Sequence, residues 1–527
     1  MELQAGTPDF EQRSSGCTLG SSQYEPRQPD RTLLYQTVQA ELETFLARAR
    51  DRGQPAPRFV EQELRAYLRC GIPAHGFLRF RCDECRHERI VPFSCKRRGF
   101  CPSCGGRRMA DTAAHLVDRV LPEVPVRQWV LTLPYALRYR CAYDARLTTQ
   151  VLQAFLRALF AELRRRARRE RGEPATQCGA VTFLQRFGSA MNLNLHFHTL
   201  ALDGAYLYPP SQRGPPRFAA LEPPTADDVA RVLAGTARRL HRLIADRADG
   251  DDHAMARNEP LLALLAEASL RTRIATGPDA GKPWRRLGDR VEPATPGPED
   301  REPNSQPVAR HAEMSLHAAV GVPARDRPRL ERLCRYVARP PVAHDRLERR
   351  PDGRLALKLK TRWRDGTTHI LLERRDLLDR LVPLIPPPRA HQARYHGILA
   401  PAASLRDRVV PAQATAPSPP HSDPNASPPP PGAEPATRSR RSRMRWAALL
   451  ARVFAIDALR CPGCGATLRL LAAIEDEAVA RAILECLDLP PRAPPPAPAR
   501  AELASPETNP DETFEFDFDQ TPSHEEA

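Results

Sequence analysis

Polar and apolar positions alternate through Asn192-Leu193-Asn194-Leu195-His196-Phe197-His198, the period-two signature of a half-buried strand. The alternation sets Asn192, Asn194, His196 and His198 on one face and Leu193, Leu195 and Phe197 on the other. Residues 179–187, which carry Gln185 and Arg186, read as a second strand, and Gly188-Ser189 breaks the chain between the two. Strands this close predict an antiparallel hairpin with the histidine face on its sheet. Residues 126–133 alternate up to Pro134 and predict another strand, the first of a new sheet. Shorter strands are expected at 90–93, at 205–208 and at 315–322, the last carrying His317. Residues 354–361 and 367–373 form a hairpin through the turn Trp363-Arg364-Asp365-Gly366.

Helical periodicity appears in 31–50, where Leu33, Leu34, Val38, Leu42 and Leu46 share a face, and again in 59–68, 226–246, 259–270, 377–384 and 446–454. A long helix over 147–171 has Val151, Leu152, Phe155, Leu156, Leu159, Phe160 and Leu163 on its apolar face and a basic end from Arg164 to Arg171. In the stretch 326–341, Asp326 is suited to the N-cap, Pro328 fits the first turn, and Pro340-Pro341 stops the helix. Leu330, Leu333, Cys334 and Val337 make the buried stripe. Tyr336 falls off that stripe, beside Arg329, Arg332 and Arg339. A tyrosine on an arginine-lined flank can present its hydroxyl to a phosphate; the blander reading is an amphipathic ring at a core edge.

These patterns divide the chain into a leader (1–30), a helical and cysteine-rich domain (31–115), a larger α+β domain (120–400), a Pro-rich linker (401–444), a small C-terminal unit (445–490) and an acidic disordered tail (491–527). Residues 276–306 read as a loop. With 527 residues and a net charge of +15, the chain suits a polyanionic partner. Only four of its 79 basic residues are lysines, and Ala, Arg and Pro are abundant, so a GC-rich genome accounts for part of the arginine excess. No run of about 18 apolar residues crosses a membrane, and Met1 to Arg31 does not read as a signal peptide.

The thirteen cysteines cluster in CxxC pairs, which favours metal over disulfides in a chain of this size. Cys82, Cys85, Cys101 and Cys104 make a CxxC-x15-CxxC pattern, a spacing that suits one tetrahedral zinc site on a ribbon. Cys70, His75 and Cys95 either ligate a second zinc with His87 or only pack. Cys461 and Cys464 are half a zinc site, and Cys486 alone does not complete it. Lys96, Arg97 and Arg98, with Arg107 and Arg108, put positive charge beside the ribbon and suit DNA phosphates. His196 and His198, two apart on a strand, can converge on a divalent ion; alternatively they are two histidines on a solvated face.

The combination resembles the insertion sequence 91 family of rolling-circle transposases, which are HUH (His-hydrophobic-His) endonucleases. The resemblance rests on residues 93–104, on Gln185-Arg186-Phe187-Gly188 through His196-Phe197-His198, and on Leu333-Cys334-Arg335-Tyr336. Trp363-Arg364-Asp365-Gly366-Thr367 and Arg394-Tyr395-His396-Gly397 follow in the same order. The similarity covers about residues 60–410 and the Cys461–Cys464 pair. It implies an N-terminal zinc ribbon, an antiparallel-sheet HUH nuclease domain and a small C-terminal CxxC element. His196 and His198 would hold Mg²⁺ or Mn²⁺, and Tyr336 would be the nucleophile, cutting and rejoining single-stranded DNA at transposon ends through a 5′-phosphotyrosine. A third metal ligand is expected among Gln185, Asn194 and His317. Double-tyrosine members carry a second tyrosine four residues before the nucleophile; here Arg332 stands there, so the chain resembles the single-tyrosine branch. Such a protein works at the bacterial nucleoid in the cytoplasm. A plasmid replication initiator or relaxase would share the chemistry, whereas a non-enzymatic zinc-ribbon DNA binder would need neither histidine nor Tyr336.

Overall fold

The computed structural model describes residues 24–172, 177–207, 216–245, 257–288, 308–311, 313–363, 365–411 and 446–500. The chain opens with α1 (Leu33–Asp51), α2 (Arg58–Arg69), the hairpin β1 (Phe77–Cys82) and β2 (Glu88–Pro92), and α3 (Pro102–Arg119). Then come β3 (Val126–Thr132), α4 (Tyr135–Tyr143), α5 (Ala145–Arg171), β4 (Gly179–Phe187), β5 (Leu193–Leu202), β6 (Gly204–Leu207), β7 (Arg217–Ala220), α6 (Ala226–Ala245) and α7 (Pro260–Leu270). The next elements are β8 (Arg285–Gly288), β9 (Val308–His311), β10 (Met314–His317), β11 (Gly321–Val322) and α8 (Arg327–Val337). After them follow β12 (Leu347–Arg349), β13 (Leu355–Lys358), β14 (Thr367–Leu372), α9 (Asp376–Leu381) and β15 (Ala393–Gly397). The last described elements are α10 (Trp446–Phe454), β16 (Leu468–Ile474) and α11 (Glu477–Cys486). No helix among the described residues is long and apolar enough to cross a membrane.

A seven-stranded sheet carries the histidines. Its order is β15-β4-β5-β3-β10-β9, with β11 also paired to β3, and its neighbours are antiparallel. The class is therefore α+β, as the strand spacing predicts. β5 is central and hydrogen-bonded on both sides, which explains why Leu195, Phe197, Leu200 and Leu202 are all buried. On one face Trp129, Leu131, Leu195 and Phe197 pack against α4, α5 and α6. On the other, Val126, Val181, Phe183 and Leu200 meet α3 and the Leu330, Leu333, Cys334 and Val337 stripe of α8. The histidines lie on this second face.

The helix ends follow the sequence signals. Asp326 accepts the Arg329 N–H at 3.0 Å, and Asp144 accepts that of Leu147 at 2.8 Å at the start of α5. Gly172 takes a left-handed conformation (φ 67°) at the end of α5. The expected strand over 315–322 divides into β10 and β11 because Ala318 and Val320 leave the ladder, offering carbonyls to the Arg127 side chain and the Gln128 N–H. The helix α4 follows Pro134 with a weak apolar pattern and has no counterpart in the sequence reading. Of the expected loop 276–306, residues 285–288 form β8 and 289–306 lie outside the described residues.

Three boundaries shift. The C-terminal CxxC unit is not separate, because β16 pairs with β1 and completes a sheet of order β16-β1-β2. Residues 24–30 of the expected leader join the fold: the Tyr24 ring meets Trp446 edge-on at 5.0 Å, and Arg27 donates to the Cys70 carbonyl at 3.2 Å. The start of the expected tail runs along α1, where Ala497 donates to the Gln39 carbonyl at 3.0 Å and Arg500 pairs with Glu41 at 2.5 Å. Residues 412–445 and 501–527, which hold most of the expected linker and tail, lie outside the described residues.

Candidate functional site

His196 and His198 leave β5 on the same face, two residues apart, and their Nε2 atoms stand 3.0 Å from each other. The other ring nitrogens are engaged. His196 Nδ1 faces the Asn194 carbonyl at 2.8 Å and must donate to it, so Nε2 keeps its lone pair. His198 Nδ1 lies 2.6 Å from the buried Gln128 side-chain amide, on the neighbouring strand β3. Burial pulls His196 down to about 4, opposed by the Asn194 carbonyl and reinforced by Arg339 and Arg138. Burial, then His196 and Arg339, pull His198 well below its ordinary value. Both rings are thus neutral near pH 7, the form that donates to a metal.

Gln185 lies opposite His196 on β4. Its Nε2 donates to the Val337 carbonyl at 2.8 Å at the end of α8, whereas its Oε1 is buried with no hydrogen-bond partner. The Asn194 Oδ1 is likewise buried and unpartnered. Such atoms are costly unless a proton donor or cation satisfies them. His317 is on the same face but two strands away, across Val130 from His198, and is exposed. Of the three candidates for a third ligand, the structure brings Gln185 and Asn194 to the pair and leaves His317 apart.

The α8 helix crosses this face and sets Tyr336 beside the pair. The Tyr336 and His198 rings meet edge-on, 5.9 Å between centroids and 86° between planes. Tyr336 is 38% exposed, so solvent reaches the residue. The Arg339 guanidinium lies 4.4 Å from the Tyr336 ring centroid and 5.7 Å from that of Phe187, and its Nε and Nη1 are buried without a partner. Lys360 Nζ is 5.8 Å from the same tyrosine ring. Arg329 and Arg332, expected on this flank, are exposed. The result is an aromatic hydroxyl, two neutral imidazoles and unsatisfied cationic donors on one side of the sheet.

The cysteines pair differently from the spacing argument. Cys82, Cys85, Cys101 and Cys104 do not share a site. Cys101 and Cys104 gather with Cys70 and Cys95, and Cys82 and Cys85 gather with Cys461 and Cys464; in each group all four sulfurs lie within 4.8 Å of one another. The reason is mechanical. Cys82 and Cys85 flank the β1–β2 turn, whereas Cys101 and Cys104 sit at the start of α3, buried against the α1–α2 core. In the first group the Cys70–Cys104, Cys95–Cys104 and Cys70–Cys101 sulfurs are 3.6, 3.4 and 3.6 Å apart. Zinc–thiolate bonds of about 2.3 Å in a tetrahedron put sulfurs roughly 3.8 Å apart, so four cysteines this close suit structural zinc. His75 instead faces Glu477 at 3.1 Å, and Cys486 is exposed outside both groups.

The first group is joined to the tyrosine helix. From Cys101 and Cys104, α3 runs alongside α8, and Arg327 at the start of α8 donates to the Leu121 carbonyl at 2.9 Å and to that of Val117. A Cβ on Gly105 would come 2.5 Å from the Pro340 Cβ, so glycine allows the two segments this close approach. Lys96, Arg97 and Arg98 are exposed on the loop between Cys95 and Cys101, and Arg108 braces it through the Lys96 and Arg97 carbonyls, 3.1 Å each. Gln128 and Lys360 escaped the sequence reading. Gln128 alone left a signal, as a polar residue within the alternating stretch 126–133.

Two family comparisons meet this geometry. A family described as "Putative transposase" matches residues 179–407, from β4 through β15, and includes His196, His198 and Tyr336. A transposase zinc-binding domain of the insertion sequence 91 type matches residues 38–133, which contain Cys70, Cys82, Cys85, Cys95, Cys101 and Cys104. No curated protein and no solved structure matches the chain.

Proposed function

Because this chain belongs to the insertion sequence 91 family of transposases, we propose that it cuts and rejoins single-stranded DNA at transposon ends, with Tyr336 as the nucleophile in an HUH-type site. The observation that carries the reading is the 5.9 Å approach of the Tyr336 ring to His198, from two elements far apart in sequence.

Tyr336 Oη attacks phosphorus in line with the leaving 3′-oxygen. The Oη–P bond forms, the P–O3′ bond breaks, the phenolic proton passes to water and the 3′-oxygen leaves as a hydroxyl after taking up a proton. The product is a 5′-phosphotyrosine. Rejoining runs the same exchange in reverse: a 3′-hydroxyl attacks the phosphotyrosine and Tyr336 is released. The phosphodiester energy is kept in the covalent link, so no nucleotide hydrolysis is required. Arg339 places a guanidinium beside the attacking ring, where its positive charge suits a phosphate. Gln185 ties the end of α8 to β4 and so fixes Tyr336 relative to the histidines.

His196 and His198, with an oxygen from Gln185 or Asn194, fit a divalent cation. Two neutral nitrogens and a buried unsatisfied amide oxygen suit Mn²⁺ better than Mg²⁺, which prefers an all-oxygen shell. Such an ion would supply charge neutralisation at the phosphate. With only Arg332 four residues before Tyr336, the chemistry uses a single tyrosine. The exposed Lys96, Arg97 and Arg98 loop extends the cationic surface for the DNA backbone, alongside Arg329 and Arg332. The structural zinc of the N-terminal domain holds the α3 helix on which α8 rests.

The test mixes purified protein, Mn²⁺ and a labelled single-stranded oligonucleotide carrying an element end. A protein–DNA adduct that survives a denaturing gel should form with the wild type and be absent with Tyr336→Phe. Equal adduct from both would remove Tyr336 from the chemistry.

A further inference from the structure

The second cysteine group draws its ligands from the two ends of the chain, and half of it lies outside both family-matched stretches. The Cys82 and Cys464 sulfurs are 3.4 Å apart, as are those of Cys85 and Cys461. The two CxxC turns have the same construction. In one, the Arg86 N–H donates to the Cys82 carbonyl at 3.0 Å and the Cys82 N–H to the His87 carbonyl at 2.9 Å. In the other, the Gly465 N–H donates to the Cys461 carbonyl at 2.9 Å and the Cys461 N–H to the Ala466 carbonyl at 2.7 Å. The residue after each second cysteine is left-handed: Arg86 at φ 59° and Gly465 at φ 79°. An arginine in that conformation is uncommon, and here it matches the glycine of the facing turn. Two like knuckles turned face to face, with all four sulfurs within 4.8 Å of one another, form a tetrathiolate cradle.

We propose that Cys82, Cys85, Cys461 and Cys464 form a second zinc centre, a clasp that fastens residues 446–486 to the N-terminal domain. The contacts around it are what such a clasp would hold. β16 lies on β1 from Phe77–Ile474 to Cys82–Leu468. The buried Arg89 guanidinium donates to the Ala458 carbonyl at 2.7 Å and the Arg460 carbonyl at 3.5 Å. Beside the cysteines the apolar cluster is small, with Phe80, Cys82, Cys461 and Leu468 buried, while farther along Ala480 and Leu484 of α11 join the α1–α2 core; metal–sulfur bonds would hold the end that core does not reach. The clasp also delivers α10 to the tyrosine helix. Arg452 on α10 donates to Asp118 of α3 at 2.5 Å and to Glu331 of α8 at 2.7 Å. Cys85 and Cys464 are exposed, whereas Cys70, Cys101 and Cys104 of the first group are buried, so a chelator should empty the clasp first.

The test uses the full chain and does not depend on DNA cleavage. Zinc is counted per chain in the wild type and in the double variant Cys461→Ser/Cys464→Ser. The expected values are two and one. Cys464→His, which keeps a zinc ligand, should restore two. In parallel, a specific protease site is inserted between residues 412 and 444. After cleavage the C-terminal fragment should co-elute with the rest in zinc, and separate once a chelator has removed the first equivalent. Should a variant fail to fold, the cleaved wild type and its cobalt-substituted spectrum, with tetrahedral thiolate bands for two sites, provide the same reading. One zinc per folded wild-type chain, two in the serine variant, or a fragment that stays attached after zinc loss would each overturn the clasp.

Discussion

The histidine site and the first cysteine site hold their donors in opposite ways. His196 and His198 are two residues apart on a strand paired on both sides, so backbone hydrogen bonds set their spacing before any ion arrives. Cys70, Cys95, Cys101 and Cys104 come from a helix end, a loop and the first turn of another helix, and no ladder spans them. The difference teaches what a metal would do at each site. On the proposed reading an ion at the strand would add chemistry to a geometry that already exists, whereas zinc among the cysteines supplies the geometry itself. Removing the one should stop a reaction, and removing the other should undo a fold.

The largest effect is therefore expected at the cysteines. Cys101→Ser should cost much of a structural zinc's contribution to folding, on the order of 10 kcal/mol in isolated zinc modules. The α1–α2 core would lose its partner, and α3 its anchor under α8. The measurements are zinc content and near-ultraviolet circular dichroism; a variant with full zinc and an unchanged spectrum would show that the sulfurs only pack.

The sharpest contrast comes from His198→Ala. Covalent adduct should fall by about a thousandfold or more, as for groups that act as a unit. Zinc content should be unchanged, and the melting transition should stay cooperative, with a loss of about 1–3 kcal/mol for a cavity and an unpartnered Gln128. A weak chelator that spares thiolate zinc should reproduce the loss of adduct in the wild type, with the spectrum intact. If His198→Ala releases zinc, the two regions are not independent.

That contrast also explains what the chain reveals before it is folded. A period-two pattern places His196 and His198 on one face whatever surrounds them, and Asp326 with Pro340-Pro341 bounds the tyrosine helix locally. The cysteines have no such advantage. CxxC specifies a knuckle and nothing about its partner, so Cys82-Cys85 reads equally well with a pair fifteen residues on or with Cys461-Cys464 near the other end. The nearer pair fits the usual spacing, but the β1–β2 turn and the start of α3 take different positions on the domain. Lys360 and Arg452 act through contacts with elements distant in sequence, and no local pattern marks them. The small C-terminal unit looked independent for the same reason: the register of β16 on β1 is long-range information.

A smaller effect separates binding of the phosphate from stability. Arg339→Ala should slow adduct formation by about 10- to 100-fold, the range for losing a preorganised donor to the reacting group. Stability should hold or rise, because Arg339 keeps buried N–H groups unsatisfied in the free protein. Arg339→Lys should restore little, since an ammonium cannot offer the planar fork. A parallel drop in melting temperature and rate would make Arg339 a packing residue.

The smallest effect is a pH dependence at Lys360. Burial, then the charges of Arg339 and Arg346, pull its ammonium down to about 8, and Asp345 opposes them. Its charge is therefore full at pH 6.5 and largely lost at pH 9. In that window the unfolded chain, with an ordinary lysine, binds more protons than the folded one, so this group makes the fold more stable as pH rises. DNA affinity should move the other way, because a cation near the phosphate site is being lost. Binding, not rate, is the useful measurement, and it is best made in Tyr336→Phe so that the nucleophile's own proton does not enter. Between pH 6.5 and 9 at fixed salt, affinity for single-stranded DNA should fall by a few-fold, roughly the share of one phosphate contact. Lys360→Arg, charged throughout, should flatten the curve. A decline that persists in Lys360→Arg would place the titrating group elsewhere and leave Lys360 outside the DNA path.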